Sequence, residues 1–133
     1  MYLIDTNVLS DAYRRLEPPS RWLAQIDPDL AFVSVVTIGE IARGIAMKRK
    51  KNASDAALLE KWLEALRRGY ADRLLPIDEA VAVAWGEISA ARTRGVPDAL
   101  IAATAFVNRL TLVTRNTKDF ADTGIALINP WDA

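Results

Sequence analysis

The stretch from Pro97 to Phe120, PDALIAATAFVNRLTLVTRNTKDF, constrains the fold of this chain more than any other. Proline suits the first turn of a helix, and an acidic side chain complements the positive helix N-terminus, so Pro97-Asp98 predicts a helix start. Ala99 to Val107 is apolar almost throughout and rich in alanine, which predicts a helix buried on most of its surface. Leu110 to Thr114 reads as a short interior strand, and Arg115 to Asp119 as a polar loop. A helix and the strand that follows it run antiparallel, so the start of one and the end of the other share an edge. Asp98 and Asp119, 21 positions apart in sequence, are therefore expected near each other in space.

The rest of the chain alternates in the same way. Met1 to Ile4 predicts a buried first strand that delivers Asp5-Thr6-Asn7 to the start of a helix. Asp5 or Thr6 reads equally as the cap of that helix. Glu17-Pro18-Pro19-Ser20 is a break, with Ser20 the expected cap of a short helix from Arg21 to Gln25. Leu30 to Val36 predicts a second buried strand, and Thr37 opens the next helix. Thr37-Ile38-Gly39-Glu40 matches the capping box S/T-x-x-E, a structural role for the glutamate. The same placement puts Glu40 in a first helical turn at the edge where strands end, so a ligand role stands beside it.

That helix continues through Ile41, Ala42, Ile45 and Ala46 into Lys48 to Lys51. Ser54 is the expected cap of a third helix, with Leu58, Leu59, Trp62, Leu63 and Leu66 at helical spacing and Gly69 as its stop. Arg73 to Asp78 predicts a short edge strand limited by Pro76. Glu79 to Arg94 predicts a long helix ended by Gly95, with Ala80, Val83, Ala84, Ile88 and Ala91 on its apolar stripe and Trp85 in the core or an interface. Ile125 to Ile128 supplies a last strand.

Composition narrows the chemistry. The 133 residues suffice for one domain, 1–133, with a core that needs no disulfide or structural metal. No apolar run has membrane-spanning length, there is no cysteine, and nothing at the N-terminus resembles a signal peptide, so a cytoplasmic protein is expected. The absence of histidine removes the usual general base and the usual transition-metal ligand. Hydrolytic chemistry then rests on carboxylates and a hard cation. The formal net charge is zero, and the basic clusters Lys48–Lys51, Arg67-Arg68 and Arg92–Arg94 read as solvated helix ends.

Alternating helices and continuous apolar strands predict a mostly parallel sheet covered by helices on both faces. In such sheets ligands bind outside the carboxyl ends of the strands. Asp5, Glu40, Asp98 and Asp119, from four segments, all map to that edge. Two unit charges about 4 Å apart repel by roughly 1 kcal/mol in water and about 4 kcal/mol at an effective dielectric near 20. A divalent cation relieves that repulsion, and with no histidine or cysteine, Mg²⁺ or Mn²⁺ is the natural occupant. Mg²⁺ takes one or two protein carboxylates directly and keeps several waters, so some of the four are expected to act through water.

Taken together, Leu3-Ile4-Asp5-Thr6-Asn7-Val8-Leu9-Ser10, Thr37-Ile38-Gly39-Glu40-Ile41, Pro97 to Ala105, Leu112 to Asn116 with Asp119-Phe120, and the closing Asn129-Pro130-Trp131 resemble the PIN domain. Within it they are most similar to the VapC or FitB-like toxins of toxin–antitoxin pairs. The resemblance implies a three-layer α/β/α sandwich with a central parallel sheet of about five strands. It also implies Mg²⁺- or Mn²⁺-dependent endoribonuclease activity, with metal ligands or organisers at Asp5, Glu40, Asp98 and Asp119. Asn116, and Thr6 or Asn7, are the implied supporting polar groups at the catalytic edge. Arg43, one turn beyond Glu40, is placed to meet substrate phosphate or an inhibitor's carboxylate; a solvated helix arginine is its plain alternative. Arg115, Lys118 and Lys48–Lys51 are further phosphate candidates. Asp11 stands where the group often has glutamate. A homodimer, and inhibition by a cognate antitoxin in the active-site groove, are also implied. Two rivals remain open from the residues themselves: a non-catalytic protein-binding module, and a deoxyribonuclease on the same scaffold.

Overall fold

A computed structural model describes residues 1–132. Five short strands form one parallel sheet: β1 (Tyr2–Ile4), β2 (Ala31–Ser34), β3 (Leu74–Leu75), β4 (Thr111–Val113) and β5 (Leu127–Ile128), in the order β3-β2-β1-β4-β5. The chain builds outward from β1 in one direction through β2 and β3, then returns to add β4 and β5 on the other side. The β1/β4 junction is therefore the topological switch point, where such sheets leave a crevice at their carboxyl edge.

Seven α-helices cover the sheet: α1 (Thr6–Tyr13), α2 (Pro19–Gln25), α3 (Val35–Arg49), α4 (Ala53–Gly69), α5 (Glu79–Ala91), α6 (Val96–Asn108) and α7 (Thr117–Phe120). The two-residue period of a strand explains the three layers. Ile4, Val33 and Val113 face one way and pack with Val8 and Leu9 of α1, Ile41 and Ile45 of α3, and Leu66 of α4. Leu3, Phe32 and Leu112 face the other way, onto Ile101, Ala102 and Ala105 of α6 and onto Phe120. This is the expected α/β/α sandwich. Among the described residues no helix is long and apolar enough to cross a membrane.

Several boundaries differ from the sequence reading, each for a local reason. Ser34, not Thr37, caps α3: its hydroxyl accepts from Val36 N at 3.0 Å, so the helix takes in Val35 and Val36 and the strand ends earlier. Thr37 and Glu40 thus lie inside the helix, and the capping box is not formed. Asn52 rather than Ser54 caps α4, accepting from Asp55 N at 3.1 Å, and Leu58 of that helix points to solvent. Helix α2 starts at Pro19, leaving Ser20 inside it. Helix α5 stops at Ala91, and Gly95 instead stands at the N-cap of α6. The buried positions of α5 are Val81 and Ala84, with Trp85 and Ile88 packed beside them, whereas Ala80, Val83 and Ala91 are exposed. The segment expected as a polar loop after β4 contains α7, which carries Asp119.

Candidate active site

Asp5 sits at the switch point. Its backbone N–H donates to Val113 O of β4 at 2.9 Å, which pins the end of β1 against its neighbour. Its carboxylate Oδ1 accepts from Thr6 N at 2.8 Å, capping α1, while Oδ2 accepts from Thr114 Oγ1 at 2.8 Å and from Asn7 Nδ2 at 3.4 Å. The cap reading and the site reading of Asp5 are thus compatible: one oxygen caps the helix and the other faces the crevice. Asp5 is only 4% exposed. Burial pushes its carboxyl up from 3.8 to about 6; hydrogen bonds from Thr114 and Thr6 oppose this, and the negative charges of Asp98 and Glu40 add to it.

Glu40 reaches the same edge from the second turn of α3. Thr6 Oγ1 lies 2.7 Å from Glu40 Oε1 and 3.0 Å from Thr37 Oγ1. A hydroxyl has one proton and a carboxylate only accepts, so Thr6 donates to Glu40 and receives from the fully buried Thr37. Thr6 therefore joins α1 to α3 beside Asp5.

Asp98 lies in the first turn of α6 and is half-buried. Its carboxyl is held above the usual range by burial and then by the charge of Asp119, with Arg94 opposing. Asp119, on α7, is largely exposed, with Arg92 Nη2 3.7 Å from its Oδ1. The charges of Asp98 and Glu40 both reach Asp5, and that of Asp119 reaches Asp98. The four carboxylates come from four elements: the N-cap of α1, helix α3, helix α6 and helix α7. Among the described residues no three acidic side chains gather closely enough to hold a metal ion by themselves.

The supporting groups tie these elements together. Asn116 stands at the N-cap of α7, its N–H donating to Thr114 Oγ1 at 3.1 Å. Asn7 Oδ1 accepts from Arg115 N at 3.3 Å. The Arg115 guanidinium lies 5.0 Å above the Trp131 ring, and Asn129 bridges Arg115 O and Trp131 N, so the closing Asn-Pro-Trp orders the Arg115 turn. Arg43 is exposed on α3. Asp11 pairs with Arg14 at 2.8 Å. Lys48 pairs with Asp55, and Arg49 with Glu60, so half of the basic run is used in ties to α4. Thr37, Thr114 and Arg94 contribute to the site although the sequence reading gives none of them a site role. The available signal for Thr114 is a hydroxyl directly after a buried strand.

A groove of about 440 Å³ opens beside Glu40 and Thr6, between α1, α3 and α4, with Tyr13 stacked on Trp62 at 4.4 Å along it. The donor chemistry of the edge fits a hard divalent cation. Its available side-chain oxygens are carboxylates, two of them raised in pKa by burial and mutual repulsion, and a cation relieves both.

A PIN domain family model matches residues 2–126. Toxin FitB of Neisseria gonorrhoeae is 36% identical, the alignment covering 98% of this chain and 99% of FitB. The VapC ribonuclease Y4jK of Sinorhizobium fredii is 32% identical, with 99% of each chain covered. The crystal structure of FitAcB from Neisseria gonorrhoeae superposes with a TM-score of 0.89 at 31% identity, covering 100% of both chains.

Proposed function

This chain belongs to the PIN-domain family, and from that premise we propose that it is a Mg²⁺- or Mn²⁺-dependent endoribonuclease acting as the toxin of a toxin–antitoxin pair. The observation that carries the reading is the buried Asp5 at the switch point, its oxygens held by Thr6 and Thr114 and its carboxyl raised by burial and, less, by the charges of Asp98 and Glu40. A carboxylate kept there against its own desolvation has no purely structural reason to be flanked by Glu40 and Asp98.

In this reading Asp5 and Asp98 would hold the cation, with Glu40 and Asp119 supporting them. When bound, the cation neutralises phosphodiester charge and lowers the pKa of water, the chemistry of metal-assisted hydrolysis. The residues of the chain do the rest. Thr6 and Thr37 aim Glu40, Thr114 aims Asp5, and Asn116 orients α7 behind Asp119. Glu40 is the acceptor for a proton leaving an attacking water. Arg115 and Arg43 meet substrate phosphates on the flanks without reading base sequence. RNA rather than DNA is favoured by Y4jK, which is called a ribonuclease.

The groove beside Glu40 takes a segment of the cognate antitoxin, whose apolar side chains meet the Tyr13–Trp62 stack and whose basic group meets Glu40. The toxin acts in the cytoplasm as a homodimer, for which Val83 of α5 and Phe106 of α6, more than half exposed, offer apolar surface.

The test is cleavage of total RNA and single-stranded DNA in Mg²⁺, Mn²⁺ or EDTA, with Asp98→Asn prepared identically. Metal-dependent cutting of RNA by the wild type alone is the expected result. Cutting of DNA alone moves the assignment to a deoxyribonuclease. Cutting of neither, together with no metal-induced rise in melting temperature, points to a binding module.

A further inference from the structure

Arg94 lies between α5 and α6, four residues before Asp98, and its side chain is only 4% exposed. Its Nη1 donates to Asp119 O at 3.0 Å and its Nη2 to Asp122 Oδ2 at 2.6 Å, whereas Nε is buried with no hydrogen-bond partner. Burying a guanidinium with one donor unmet is costly, and a simple surface tie between two loops does not need it. Arg92, more exposed, spans the same two acids, 3.7 Å from Asp119 Oδ1 and 3.6 Å from Asp122 Oδ1.

What this pair of arginines holds is the acidic side of a short segment whose other anchors are the buried Phe120 and the Asn116–Thr114 bond. Helix α7 has four residues, and the 3₁₀ turn Ala121–Thr123 follows it directly. A single turn of helix is marginal without tertiary contacts. The Arg94 guanidinium is the direct tie between the backbone of Asp119 and the loop that leads into Asp98. Its positive charge also opposes the rise of the Asp98 carboxyl that burial and the charge of Asp119 cause. Resting on the metal-dependent reading above, we propose that Arg94, clamped by Asp122, is a positioning residue. It sets the separation of Asp98 and Asp119, and so the affinity of the acidic edge for its divalent cation.

The test is Mn²⁺ binding at fixed neutral pH, followed by the EPR signal of free Mn²⁺, for wild type, Arg94→Lys, Asp122→Asn and the double variant. Lysine keeps the charge but cannot reach both Asp119 O and Asp122. Asp122 is partly exposed, so its amide variant folds even if Arg94→Lys does not. Each single variant should melt cooperatively and bind Mn²⁺ about tenfold or more weakly, the usual effect of losing a group that orients a metal ligand. The double variant should bind no worse than the weaker single, because both changes break one tie. Wild-type Mn²⁺ affinity in folded Arg94→Lys and Asp122→Asn, even with lowered melting temperatures, overturns the inference and leaves Arg94 a structural staple. A wild type that binds no Mn²⁺ at millimolar concentration overturns the parent reading as well.

Discussion

Thr114 Oγ1 donates a 2.8 Å hydrogen bond to Asp5 Oδ2 across 109 residues of sequence, with both side chains buried. The same oxygen accepts from Asn116 N at 3.1 Å, so one hydroxyl fixes the carboxylate at the switch point and the start of α7 together. Thr114→Val removes both bonds at nearly constant shape. At neutral pH this should lower unfolding free energy by about 2 kcal/mol, the scale for a buried hydrogen bond to a charged group, while Thr114→Ser should lose much less. Urea denaturation measures it; equal stability of the valine and serine variants would show that the hydroxyl does not hold Asp5.

Asp5 also makes stability depend on pH with a definite sign. Its folded-state value, about 6, lies above the unfolded 3.8, so between them the native state keeps a proton that the unfolded state has released. The associated stability is fully present below about pH 4 and is lost as pH rises through 6, by about 3 kcal/mol. In EDTA the wild type should therefore fall behind Asp5→Asn by roughly that amount between pH 4 and pH 7. Parallel stability curves for the two proteins would count against a perturbed Asp5.

Saturating Mg²⁺ or Mn²⁺ should raise the wild-type melting temperature at pH 7.5, since a ligand selective for the folded state stabilises it. Asp5→Asn should start higher in EDTA and respond little to metal. A metal shift of wild-type size in Asp5→Asn would place the cation elsewhere.

Asp98→Asn should abolish cleavage and leave the fold intact. The N-cap of α6 is Gly95, with no side-chain cap bond, and burial, then the charge of Asp119, holds the Asp98 carboxyl above its usual range. Circular dichroism beside the cleavage assay separates the two roles; an unfolded variant would return Asp98 to helix stabilisation.

Thr6→Val should free Glu40 from its 2.7 Å donor and slow cleavage at least tenfold, with the melting temperature changed by only a few degrees. Thr6→Ser should restore most of the rate. Full activity in the valine variant would show that Glu40 needs no aiming.

Arg115→Ala, made in an Asp98→Asn background so that RNA survives, should weaken RNA binding and reduce the salt slope by about 0.7, the value for one phosphate contact on a single strand. An unchanged slope would remove Arg115 from the substrate path.

The sequence by itself determined the layers and the edge. Apolar runs marked the strands, and their continuity, as in Leu3-Ile4 and Leu112-Val113, pointed to a sheet covered on both faces. Asp5 after the first strand and Asp98 beside Pro97 follow from local chemistry that a linear reading captures. Thr37-x-x-Glu40 misled, because Ser34 competes for the same role and wins by being the last residue of the strand. What the tertiary structure alone decided is which side chains hold the acids. Thr114 holds Asp5, Thr6 bridges to Glu40, and Arg94 ties Asp119 to the loop before Asp98. Each of these ties joins residues at least 25 positions apart, through side chains whose partners are fixed only once the strands have chosen their neighbours. No local pattern encodes such pairings, since they depend on strand order, which places β4 against β1.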